Sequence, residues 1–132
     1  MTTEDIDITR IPRSALLRLA VEDACTIGAT PGYVLDMWEY HTPVGDNCHV
    51  CMAGAVIARR AGTDPGTYRV PGSFPEAVAD TMRWIDLTRR GRTGSDAVCE
   101  LIRGRFNNLL GRAPWSVYLV AADMLEAEEN AT

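Results

Sequence analysis

The stretch "GDNCHVCMAGAVIARR", Gly45 to Arg60, sets two cysteines three residues apart at the head of a run of small and apolar side chains. Such a Cys48-x-x-Cys51 pair can clamp a metal, cycle between thiol and disulfide, or open a closely packed helix. The residues that follow decide among these. Counted from Cys51, Gly54, Ala55 and Ala58 fall at steps of three, four and seven, so one helix face carries only small side chains. A neighbouring backbone can come close to that face, and a free Cys within it behaves as a small hydrophobe. The spacing predicts a buried helix from Cys48 to Ala61, capped by Asp46 or Asn47 and closed by Gly62 and the "GTDPG" turn.

The two chemical readings of the pair have weaker support. A thioredoxin-type site follows the first strand of a βαβ unit, and no βαβ pattern surrounds this motif. At a helix start, Cys48 would still be the thiol that the dipole favours as thiolate. Structural zinc asks for four ligands, and no second Cys or His pair follows. A metal site would have to be assembled from Cys48, Cys51, His41 and His49, with Cys25 or Cys99 in reserve. No cofactor is expected, and Cys25 and Cys99 read as core thiols on their own helices.

Outward from this helix, the chain reads as mainly α. In "PRSALLRLAVEDACTIG", Ala15, Leu16, Leu19, Ala20 and Ile27 recur at helical steps over residues 13–26, with Ser14 as a cap. Pro31-Gly32 breaks the pattern, and "YVLDMWEYH" alternates loosely, which leaves a helical turn open but leans towards a short extended segment near residues 33–40. "HTPVGDN" reads as a loop. Ser73, Pro75 and Glu76 form a capping box for a helix over residues 74–90 lined by Ala77, Val78, Met82, Trp84 and Ile85. Thr93 or Ser95 caps "DAVCELIRGRFNNLL", with Val98, Leu101, Ile102, Phe106 and Leu109 or Leu110 at helical spacing. A last helix, "WSVYLVAADMLEAEEN", has an acidic tail expected to fray. The expected architecture is one compact domain over residues 1–132, of about five helices, with residues 1–10 and 127–132 frayed.

Composition narrows the function classes. The 132 residues are 46% hydrophobic and 23% charged, enough for a core without disulfide staples. All 13 basic residues are Arg, which reads as a GC-rich coding bias. The net charge of −5 argues against nucleic acid as a partner. Its distribution is uneven: −5 over residues 1–82, +4 over 83–112 and −4 over 113–132. The bland reading is a set of solvated faces, and the sharper one is a contact patch that includes Arg89, Arg90, Arg92, Arg103 and Arg105. A second candidate patch is the aromatic segment Tyr33, Met37, Trp38 and Tyr40. No run of about 18 apolar residues exists, and Met1–Arg10 lacks the basic start and apolar middle of a signal peptide. No membrane association and a reduced interior are expected, with the four cysteines as thiols.

The tract "NCHVCMAGAVIA", with "DMWEYHTP" before it and "MRWIDLTRRG" after it, resembles a group of small bacteriophage and prophage proteins carrying a C-x-x-C-[ML]-A-G-A-V tract. The likeness covers residues 34–62 and 80–104, and no activity attaches to the group. It implies a non-enzymatic protein, in the cytoplasm of a host bacterium, that inhibits or modulates a host protein or complex, such as a defence (CRISPR-type) machine. The alternative is a small zinc-supported or thiol-redox domain centred on Cys48 and Cys51. Neither reading fixes an oligomeric state.

Overall fold

The computed structural model describes residues 8–39, 41–60, 76–108 and 114–131. Among them are five helices, α1 (Arg13–Gly28), α2 (Met52–Arg60), α3 (Glu76–Arg89), α4 (Asp96–Asn108) and α5 (Trp115–Asn130). Three short strands, β1 (Tyr33–Leu35), β2 (His41–Val44) and β3 (Asn47–Val50), lie between α1 and α2. The mainly helical expectation holds, with a small sheet added. Each helix packs on two others: α1 meets α5 and α2, α2 meets α3, α3 meets α4, and α4 returns to α5. This closed cycle places the apolar stripes of all five helices towards one interior. The sheet joins it through β1, which packs on α1, and through β3, which leads into α2.

The sheet corrects the opening expectation. Asn47–Val50 is a strand, and the helix begins only at Met52, so Cys48 lies within β3 and Cys51 at the junction. Gly45-Asp46 is the two-residue turn of a hairpin in which β2 pairs antiparallel with β3, from Val44↔Asn47 to His41↔Val50. Gly45, at φ +62°, supplies the left-handed backbone that such a turn needs. Pro43 has no N–H, and β2 is accordingly an edge strand. β1 pairs parallel with β3 on the other side, Val34 opposite His49, so β3 is central. The expected extended segment is therefore real over Tyr33–Leu35, and "HTPVGDN" is half of a hairpin instead of a loop.

Neither Asp46 nor Asn47 caps α2. The Ala55 N–H donates to the Cys51 carbonyl at 2.8 Å, which starts the helix one residue before Met52. The small-residue face behaves as expected: Cys51 and Ala55 are fully buried, and every residue from Met52 to Ala58 is buried. A helix apolar on all sides belongs inside a domain. Arg59 and Arg60, in the last turn of α2, both reach Asp23 of α1, which is fully buried.

Other helix starts divide in the same way. Ser95 caps α4, its Oγ accepting from the Val98 N–H at 3.3 Å. Ser14 does not cap α1; Pro12 stands at that position, and Ser14 is buried, with its N–H and Oγ donating to the Glu129 carboxylate. That contact ties down the end of α5, which runs unbroken to Asn130 in place of the expected frayed tail. Gly91, at φ +65°, ends α3 where a Cβ would lie 2.6 Å from the Cys99 carbonyl oxygen, so the turn fits closely against α4. The Ser73–Glu76 capping box, apart from Glu76 itself, lies outside the described residues, as do Tyr68, Leu109 and Leu110, and so does the Phe106 side chain.

Candidate functional site: the outer face of the sheet and the Trp38 loop

Strand alternation gives the sheet two unlike faces. Tyr33, Cys48 and Val50 point into the core and are buried, whereas Val34, Thr42, His49 and Asn47 point away from it. On or beside the outer face, Val34 is 37% exposed and Val44 47% exposed. The chain leaves β1 through Asp36–Glu39, and Trp38 there is 64% exposed. A large aromatic ring held in water on an ordered segment calls for an explanation, because its burial is worth more than that of almost any other side chain.

Three sets of bonds hold the Trp38 loop. The Asp36 N–H donates to the Val50 carbonyl at 2.8 Å, extending the ladder of the sheet by one rung. The Asp36 carboxylate accepts the Trp38 N–H at 3.0 Å through one oxygen and meets His49 Nδ1 at 3.2 Å through the other. From the core side, the Arg89 guanidinium donates to the Met37 carbonyl, and Asp86 fixes that guanidinium with contacts of 2.9 and 2.6 Å. The peptide group between Met37 and Trp38 is thus held at both its carbonyl and its N–H, and less conformational entropy is lost if the ring is covered by a partner.

These positions sort the residues singled out by the sequence. Among the described residues of the aromatic segment, Trp38 is the surface group; Tyr33 and Met37 are buried, at 8% and 7% exposure, and serve the core. Tyr40 lies outside the described residues. Arg89 is corrected from contact residue to interior clamp: it is 4% exposed because the Met37 carbonyl and Asp86 replace its water. Arg90 stays at the surface, half exposed, with a loose contact to Asp86 at 3.5 Å. Arg92, Arg103 and Arg105 are exposed, on the α3–α4 turn and on α4. Among the basic candidates Arg89 thus reaches the Trp38 loop from the interior, while Arg90, Arg92, Arg103 and Arg105 stay at the surface.

The cysteines divide by face. Cys48 and Cys51 are both fully buried. His49, next in sequence to Cys48, projects from the opposite face of β3, so the two cannot join one ligand set from adjacent strand positions. The His41 side chain lies outside the described residues, and among those described no group of three His, Cys, Asp or Glu could hold a metal. Burial pushes the Cys51 thiol up from its ordinary value of 9.0, against the opposing pull of the Gly54 N–H and of Arg89. A reactive thiol needs the reverse shift. Burial also raises the Tyr118 hydroxyl, the one buried side-chain polar atom among the described residues without a hydrogen-bond partner. Cys25 and Cys99 are not core thiols: Cys25 is exposed, and Cys99 is half-buried, with its Sγ donating to the Thr93 carbonyl at 3.1 Å.

Sequence reasoning missed two buried charges, Asp23 and Arg89, although each leaves a trace. Asp23 lies in the stripe Leu16, Leu19, Ala20, Ile27, and Arg89 continues Met82 and Ile85 by one turn. A charge in an apolar stripe announces a buried partner. No helix is long and apolar enough to cross a membrane among the described residues. No protein-family model, curated protein or solved structure matches the chain.

Proposed function

We propose that the chain acts as a non-enzymatic binding protein, with Trp38 and the outer face of the sheet as its contact surface for another protein. The observation that carries this reading is Trp38 itself, 64% exposed although the peptide group that joins it to Met37 is held at both its N–H and its carbonyl. Trp is among the side chains that contribute most to protein interfaces, and a preorganised Trp loses little freedom on binding. Val34 and Val44 supply apolar surroundings, and the Asp36–His49 pair supplies a polar edge. The net charge of −5 favours a protein over a nucleic acid.

The narrower expectation, a phage or prophage factor that inhibits or modulates a host protein or defence complex, rests on the resemblance of the cysteine tract. The zinc or thiol-redox alternative loses ground from the burial of both thiols and from the position of His49 on the opposite face. The test uses wild type and Trp38→Ala as baits for affinity capture from bacterial lysate, with melting temperatures measured in parallel. Trp38→Ala should lose the captured partner while melting as wild type does, because the ring covers little of the core. Equal capture by both baits would refute the assignment.

A further inference from the structure

We propose that the outer face of α5 is a dimer interface, on which two copies of this chain pack antiparallel about a two-fold axis near Val120. This face is separate from the Trp38 surface and does not depend on it. Leu119 and Val120, 42% and 49% exposed, stand together on α5. Beside them lies a groove of about 340 Å³ between α4 and α5, walled by Leu101, Pro114, Val117 and Val120, with Arg105 and Ser116 at its polar edge.

Charge selects the occupant. Arg105 is exposed and makes no ion pair among the described residues. The N-terminus of α5 beside it has Pro114 at the cap position, no side-chain cap bond and no acidic residue in the first turn. The groove end is thus positive, from the helix dipole as well as from Arg105. The other end of the same helix is acidic, with Asp123, Glu126, Glu128 and Glu129. Within one copy three of these acids turn to α1, Asp123 and Glu126 to Arg18 and Glu129 to Ser14, and no ion pair joins any of the four to Arg105 among the described residues. A second copy laid antiparallel brings an acidic end to each positive end at once, the self-complementarity that a two-fold interface requires.

The helical repeat sets the register. Ser116, Val120 and Asp123 share a face at steps of four and three. With the axis at Val120, Asp123 lies about 4.5 Å along α5 from it, as far as Val117 on the other side. Val117 and Arg105 line the same groove, so Asp123 of each copy meets Arg105 of the other. Asp123 is free to do so: its side chain is 74% exposed, and its contact with Arg18 engages one oxygen.

The test is sedimentation equilibrium of the full chain with three variants. Wild type should show a concentration-dependent dimer that weakens with salt. Arg105→Glu and Asp123→Arg should each weaken it by about tenfold or more, since each places like charges in contact. Val120→Glu should do the same through the centre of the face. Mixed in equal amounts, the Arg105→Glu and Asp123→Arg chains should form a heterodimer close to wild-type affinity, because one cross pair is then the native Asp123–Arg105 pair and the other is attractive with its signs reversed. A wild type that is monomeric up to about 1 mM, the weak limit of specific association, would overturn the proposal. So would variants that dimerise as wild type does, or a mixture no tighter than its parts. A monomer that instead takes up an acidic peptide in the groove would transfer the face to another partner and equally overturn it.

Discussion

Removal of the Asp23 carboxylate is the sharpest test of how the core is held. Its Oδ1 accepts from Arg59 Nη1 at 2.8 Å and Arg60 Nη2 at 2.6 Å, and its Oδ2 accepts from Arg60 Nε at 3.0 Å. The Asp23 side chain is fully buried and that of Arg60 6% exposed, so these bonds stand in for the water both groups have lost. Arg59, 20% exposed, retains some solvent and a contact with Glu22 at 3.5 Å. Asp23→Ala therefore takes from the almost fully buried Arg60 its bonds to both carboxylate oxygens, and from Arg59 its bond to one. Breaking a buried pair from one side costs about 3–5 kcal/mol, a large share of the roughly 5–15 kcal/mol that holds a domain together. Urea unfolding followed by circular dichroism should show a fall of that size, with a melting temperature lower by roughly 10–20 °C. The same carboxylate anchors both charges, so Asp23→Leu combined with Arg60→Met should be less destabilised than the sum of the two single changes. A loss below about 1 kcal/mol for Asp23→Ala would show that the cluster is open to water and would refute the clamp between α1 and α2.

Two further outcomes follow from the cysteine tract. Ala55 is fully buried on the small-residue face of α2, so Ala55→Leu should cost about 1–3 kcal/mol by forcing helices apart, and a neutral result in urea unfolding would show that the face is not closely packed. Cys51 is held neutral in the fold, above its ordinary 9.0, so the unfolded chain gives up that proton first as pH rises. The associated stability is complete below pH 9.0 and declines above it, and Tyr118 adds a decline of the same sign above its ordinary 10.0. The urea midpoint of wild type should fall more steeply above pH 9.0 than that of Cys51→Ala. Parallel profiles would place the sensitivity elsewhere.

The residues whose meaning changed most between sequence and structure are adjacent. Apolar spacing alone identified the buried face through Gly54, Ala55 and Ala58, because side-chain size and helical period need no knowledge of the partner. It misplaced the start of that helix by four residues, since Asn47–Val50 is too short for its alternation to stand out. The two-residue Gly45-Asp46 turn was the available sign of a hairpin. The proposed contact surface was half legible: Trp38 lay in the aromatic segment singled out, but Tyr33 and Met37 beside it are core residues. A three-residue strand carries no periodicity that separates its inner from its outer side chains.

What the sequence by itself determined is what local rules govern: five helical segments, a core of small and apolar stripes, and an acidic net charge. Only the tertiary structure decided which charges are buried. Asp23 and Arg89 look like surface residues until the α2 arginines, Asp86 and the Met37 carbonyl arrive from other parts of the chain. It also decided that Cys48 belongs to a strand and Cys51 to a helix start, because β3 becomes a strand only by pairing with β1 and β2 on either side. Strand pairing and charge burial are settled between distant residues, where the spacing of neighbours has no say.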